Sequence, residues 1–353
     1  MRAFPILILV SLLAIQFAEA TEQKTAPEKT TQTPHLYFGC EIYDIQNIAA
    51  PKLVRMFAGE YCLFQKDGSV IQTLSERVVK YDRNMKELWS LPTKAHHQVN
   101  ASVDGSQILI LGSEAVEPDK QHGLARSDVL FVLDQSGEVK KKFSFYDNSK
   151  QVNKLDWDMA VKRRHRMQFG FQRFKDLKYE ITHANSFYEI GPHAAEELNP
   201  AFKRGNYIVN DGSLMMAFVL DSSLTKIVWQ RRLRRDWHLL HDLQVLPTGR
   251  LFFYDNGPLK NGKSQLVETD LATWKDVWTY RGPEGKRFFA KRSGGVQRLA
   301  DGGTLYTISN RPEIIEIDAN GKKRWSWYPG DNKHLQQARK DDLSEFLANN
   351  GAI

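Results

Sequence analysis

The chain has 353 residues, 41% of them hydrophobic, and a formal net charge of +7. That length buries a large core, either as one closed repeat domain or as two domains. The basic excess sits in short runs, Lys140–Lys142, Lys162–Arg166 and Arg231–Arg235. In an exported chain these exclude nucleic acid as the target and suit anionic small molecules, polysaccharides or a membrane surface, while each run alone reads as a solvated basic face.

Residues 1–20 form a predicted signal peptide: Arg2 supplies the positive start, Ile6–Ile15 the apolar run, and Ala18-Glu19-Ala20 the cleavage site. The apolar run is too short to span a bilayer, so the mature chain is expected to start near Thr21 with no integral membrane segment. Residues 21–35 are polar, rich in Thr and Pro, and read as a disordered lead-in. The fold is expected over residues 36–332. Cys40 and Cys62 are the only cysteines, and in an oxidising compartment such a pair forms one disulfide. A hairpin over Tyr61–Leu74 turns at Asp67-Gly68.

Five similar units follow the hairpin. Each has an apolar run, an aspartate at a tight turn, and an aromatic residue closing the next strand: Asp82 to Trp89, Asp134 to Phe143, Asp221 to Trp229, Asp270 to Trp278 and Asp318 to Trp325. The aromatic positions are separated by 54, 86, 49 and 47 residues. A unit of about fifty residues built of four short strands is the mark of a propeller blade. The long gap is one blade plus an insertion, which includes the basic aromatic stretch 156–178. With the hairpin that precedes these five units the count is six, so the chain is expected to be all-β: a six-bladed β-propeller closed by its N- and C-terminal strands. Closure removes the exposed sheet edges. Residues 333–353 read as a C-terminal helix ending near Gly351. The aspartates and aromatic residues are turn and core positions and receive no chemistry.

A second pattern runs through the same units. His97, His183 and His241 each precede a glycine by eight residues, at Gly105, Gly191 and Gly249. Each falls where the innermost strand of a blade begins, so the three should point at one another across the axis. The last unit has Gly294-Gly295 in that place, so folding does not require histidine there. His122, His165, His193, His238 and His334 lack the register and read as surface or packing residues. Asp255-Asn256-Gly257 and Asp301-Gly302-Gly303 read as turns, without the alternating oxygen ligands of a calcium loop.

Together the HANS element at 183–186, HDLQVLPTGRLFFYDNG at 241–257, and GGVQRLADGGTLY followed by IIEIDANGKKRWSW resemble the bacterial arylsulfotransferases. The likeness runs from about Val78 to Pro329. It implies a six-bladed propeller enzyme of the periplasm or the secreted space, distinct from the sulfotransferases that use phosphoadenosine phosphosulfate. By this resemblance His241 is the histidine that carries the sulfuryl group as a covalent intermediate. His183 and Asn185 hold the sulfuryl group and the proton in flight. His97 is the first active-site histidine, with its neighbour His96 as the other choice. An arginine of that family aligns with Gly212 here, which leaves Arg292 or Arg311 to bind the sulfate.

The mechanism so implied is ping-pong transfer from a small anionic aryl sulfate to a phenolic acceptor. His241 attacks sulfur, His183 or His97 protonates the leaving phenolate, and Asn185 donates to a sulfuryl oxygen, with no metal or cofactor called for. Two other readings stay open: a three-histidine metal site, and a propeller of the same kind that binds a ligand or partner without catalysis. The sequence does not speak to oligomeric state.

Overall fold

The computed structural model describes residues 34–118, 123–163, 165–166, 179–234, 238–258, 263–283, 288–331, 333 and 335–350. The signal peptide and nearly all of the polar lead-in lie outside these residues, as do His122, His334 and most of the basic stretch 164–178.

Six antiparallel sheets, each with a meander of four strands, make the six blades of a propeller. The innermost strands are Ala338–Asp341, Cys62–Phe64, Val99–Ala101, Ala184–Glu189, His238–Leu246 and Val296–Arg298 for blades 1 to 6. The second and third strands of each blade are buried almost throughout, as in Leu109–Leu111, Ile208–Val209 and Leu251–Tyr254. The outermost strands are mostly exposed, as in Lys52–Met56 and Glu87–Leu91. The core is therefore a series of apolar layers between neighbouring blades, each built from two sheets.

The aspartates of the five units close the turns before the outer strands. Asp82 accepts the backbone N–H groups of Asn84 and Lys86, and Asp318 those of Asn320 and Lys322, each at 2.9 Å. The aromatic residues that follow pack between blades: Trp229 stacks on Trp274 with centroids 5.2 Å apart. Cys40 and Cys62 form a disulfide that ties blade 1 to the inner strand of blade 2.

Three boundaries differ from expectation. The tail is not one helix: Ala338–Asp341 is a strand that pairs with His35–Phe38 and closes the ring, and only Ser344–Asn349 is helical. The segment before the helix has no apolar stripe of helical period, and the open edge of His35–Phe38 offers its backbone a full set of partners. The short helix docks Phe346 among Cys40, Phe57, Cys62 and Val70. For the same reason the fold begins one residue inside the expected lead-in, at buried His35. Finally, Asp255-Asn256-Gly257 is no turn but the interior of the strand Arg250–Pro258.

The insertion of blade 3 carries the helix Lys154–Arg163 and a two-residue strand pair, His165–Arg166 with Tyr179–Glu180. The latter lies parallel to the start of Ala125–Asp134, with Glu180 beside Arg126. This brings an acidic and a basic side chain to the rim of the channel.

Candidate active site

Blade 3 begins with two adjacent histidines. Successive residues of an extended strand point to opposite sides, but His97 has φ 65°, in the left-handed region that branched backbones avoid. The turn this makes brings both imidazoles to the same side, with ring centroids 5.0 Å apart. A non-glycine residue held in this conformation stores strain of a kind that collects at functional sites.

His183 meets them from blade 4. Its Nε2 lies 2.9 Å from Nε2 of His97, and its Nδ1 lies 2.9 Å from both Glu180 Oε1 and Arg126 Nη2. Its backbone N–H donates to Asp211 at 2.8 Å. Nδ1 of His97 faces Gln336 Oε1 at 3.1 Å. His96 Nε2 sits 2.9 Å from the fully buried carboxylate of Asp128, which also accepts the N–H of Ala184. Burial opposes ionisation of Asp128, but Arg126 and His96 outweigh it and hold the carboxyl well below the usual carboxylate range. Asp211, buried near Asp128, is pushed up to about 7. One ring nitrogen each of His96, His97 and His183 falls within 4.8 Å of the others.

His241 comes from blade 5, with its ring centroid 5.7 Å from that of His97. Its Nδ1 lies 2.7 Å from Asn256 Oδ1. Asn256 donates its Nδ2 to the carbonyls of Ala290 and Ser293 at 2.8 and 3.2 Å. That fixes the amide, so its oxygen must accept from His241, and the proton of His241 sits on Nδ1. Nε2 keeps its lone pair. Desolvation lowers the pKa of His241 to about 4, so the ring is neutral at neutral pH.

The next residue, Asp242, has φ 54° and turns its carboxylate into the channel, where Arg339 of the closing strand binds both oxygens at 2.8 and 2.9 Å. Tyr188 donates to the same carboxylate, and the N–H of Val296 adds a third donor at 2.7 Å. Residues of blades 1, 4, 5 and 6 thus meet in one buried ion-pair network that fills the axis.

Not every expected residue joins the histidines. Asn185 donates Nδ2 to the carbonyl of Leu240 at 2.7 Å, and Ser186 Oγ accepts the N–H of Leu243 at 3.1 Å. Both brace the strand on either side of His241. Arg311 is three-quarters exposed and paired with Glu313, and Arg292 is exposed. The cation that reaches the histidines is Arg126, one strand away on blade 3. At Gly212 a Cβ would lie 2.7 Å from Leu239 Cδ1 and 2.9 Å from Asn185 Nδ2, so a side chain there would displace the ends of both. His96, read only as an alternative to His97, joins it in the site, and Arg126, Asp128, Glu180 and Asn256, which the sequence reading did not assign to the site, carry its geometry. The signals available were the His-His pair and a glutamate three residues before His183.

The arylsulfotransferase (ASST) profile matches residues 74–330, from the middle of blade 2 to the end of blade 6. The chain belongs to the arylsulfotransferase family. Family membership suggests an arylsulfotransferase-type function. Among solved structures, a protein of unknown function from Bacteroides caccae is similar over 87% of this chain and 98% of its own, with a TM-score of 0.53 and 14% identity. TolB from Acinetobacter baumannii matches over 87% of this chain and 65% of its own, with a TM-score of 0.47 and 10% identity. At such identities the former likeness shows the propeller fold alone. No curated protein matches the chain.

Proposed function

We propose that this member of the arylsulfotransferase family moves a sulfuryl group from an aryl sulfate to a phenol through a covalent adduct on His241. One observation carries the reading. His241 is neutral at neutral pH, its proton is held on Nδ1 by Asn256, and its free Nε2 stands beside His97, whose Nε2 lies 2.9 Å from that of His183.

Sulfuryl transfer, like phosphoryl transfer, has a loose transition state with charge on the peripheral oxygens. Nε2 of His241 attacks sulfur in line with the aryl oxygen. As the N–S bond forms, the S–O bond breaks and its electron pair leaves with the phenolate. The proton between His97 and His183 goes to that oxygen, and Gln336, Glu180 and Arg126 hold the far sides of the two rings. A phenol with a pKa of about 10 is a fair leaving group once it is protonated in this way. In the second half-reaction the acceptor phenol returns its proton to the pair. Its oxygen attacks sulfur, and the N–S electron pair returns to Nε2. Arg126, the cation nearest the histidines, offsets the charge of the bound sulfate. Asn185 acts here by fixing the strand that bears His241.

The Cys40–Cys62 disulfide supports an oxidising compartment, and no helix among the described residues is long and apolar enough to cross a membrane. With the leader read from the sequence, both support a periplasmic or secreted enzyme. The direct test is release of nitrophenol from p-nitrophenyl sulfate with phenol as acceptor. Phenol-dependent release by the wild type and none by His241→Ala is the expected result; equal release by both would refute the reading.

A further inference from the structure

We propose that His96, His97 and His183 form a binding site for a divalent first-row metal ion of the zinc class. Imidazole nitrogens are the ordinary protein ligands of such ions, and three of them with an open fourth position make a catalytic type of site. The facing nitrogens of the three rings already lie within 4.8 Å of one another.

The surroundings of the rings point the same way. A ligating histidine donates its other N–H to a carboxylate or carbonyl oxygen, which turns the lone pair toward the metal. All three rings have that partner: Asp128 on Nε2 of His96 at 2.9 Å, Gln336 on Nδ1 of His97 at 3.1 Å, and Glu180 on Nδ1 of His183 at 2.9 Å. With those protons outward, the lone pairs of His97 Nε2 and His183 Nε2 face each other at 2.9 Å. In that tautomer a shared proton or a bound cation bridges them; where Arg126 Nη2 instead donates to His183 Nδ1 at 2.9 Å, the proton of His183 lies on Nε2 and fills the gap. Two ligand nitrogens on one tetrahedral zinc stand roughly 3.3 Å apart, so His97 and His183 part by a few tenths of an ångström and the three-ring cluster, now within 4.8 Å, closes by up to about 1.5 Å.

His96 supplies an independent sign. Its Nδ1 is buried and has no hydrogen-bond partner among the described residues, a cost that a ligand bond would remove. The φ of 65° at His97 is what brings this ring, adjacent in sequence, to the same side as its neighbour. The formal charges agree: the buried carboxylates of Asp128 and Glu180 face the single guanidinium of Arg126, which leaves the cluster short of positive charge. Arg126 keeps its 3.0 Å ion pair with Glu180 when the proton of His183 is on Nδ1.

The site goes beyond the transfer reading, because its geometry does not involve His241. Its consequence rests on that reading: the ion would take the place of the shared proton and stabilise the leaving phenolate as a Lewis acid.

The test uses the full mature chain without a histidine tag, stripped with a chelator and dialysed against Zn²⁺ or Co²⁺. One ion per chain is expected, with visible ligand-field absorption for cobalt. His96→Gln and His183→Gln, checked for folding by circular dichroism, should lose the ion, and His241→Gln should keep it. Asp128→Asn should weaken binding by about 10–100-fold. Absence of stoichiometric metal, or full retention by folded His96→Gln, overturns the proposal. Turnover of p-nitrophenyl sulfate on the same samples separates the two readings. A metal-free chain that still transfers through His241 overturns the metal site and leaves the transferase; one bound ion with no transfer upholds the site and sinks the transferase.

Discussion

The Nε2 atoms of His97 and His183 lie 2.9 Å apart, although 86 residues separate them in the chain. They belong to neighbouring blades, and the distance allows one proton between two bases. His241 stands beside this pair, with its own proton committed elsewhere. A nucleophile and a proton carrier are thus set apart by their hydrogen-bond partners, not by residue type.

The proton of His241 depends on Asn256. Asn256→Leu removes the acceptor and frees the ring to carry its proton on Nε2. Turnover should fall by about 10²-fold or more with little change in KM, because Asn256 lies behind the ring. Asn256→Asp should instead raise the pKa of His241 above its present value of about 4 and move the acid limb of the pH–rate profile upward. Steady-state kinetics across pH check both.

Burial lowers His96 and His241 to about 4 and His97 well below 6.5. The unfolded chain binds these protons near pH 6.5, whereas the folded chain does not until much lower pH. Stability is therefore expected to fall as pH drops from 6.5 toward 4, with the unfolded state taking up the protons. Above 6.5 these groups contribute no slope. Thermal melts in chelator-containing buffers at a series of pH values measure this, and replacing His241 by Gln should flatten the curve.

Arg339 and Asp242 form an ion pair inside the channel, with Asp242 fully buried, Arg339 half-buried, and Tyr188 bonded to both. Arg339→Met leaves the carboxylate buried without its partner and should destabilise the fold by roughly 3–5 kcal/mol. Since Arg339 lies on the strand that closes the ring, urea unfolding should report the loss as a lower midpoint. An unchanged midpoint would show that the network adds nothing to closure.

The Cys40–Cys62 bond spans 22 residues and joins the first two blades. Replacing both cysteines by serine should cost about 3 kcal/mol through loop entropy regained by the unfolded chain. The same loss is expected on reducing the wild type, and calorimetry with and without reductant checks it.

The six-bladed fold and the histidine register were legible because turns and strands recur in every unit. The blade boundaries were not: the hairpin Tyr61–Leu74 and the first unit form one blade, and the remaining blade is His35–Met56 closed by Ala338–Asp341. Nor were other parts. Nothing in the sequence marks a left-handed backbone at His97, so His96 and His97 read as alternatives, not as two rings on the same side. Asn256 sits in Asp-Asn-Gly, a strong turn signal, and only pairing with Gln265–Asp270 and His238–Leu246 holds it in a strand. Glu180 reaches Arg126 across an insertion through a parallel pairing with no local signal. The tail is a strand because blade 1 lacks an inner strand of its own, a demand set by the whole ring.

The most direct test of the account is to trap the intermediate. The chain is mixed with p-nitrophenyl sulfate without acceptor, quenched at alkaline pH, digested and weighed by mass spectrometry. The account predicts a single SO₃ adduct on the peptide containing His241, discharged by added phenol, with the adduct absent and turnover lowered at least about 10³-fold in His241→Gln. Phenol-dependent turnover with no adduct, or with an adduct on His97 or His183 instead, would contradict it.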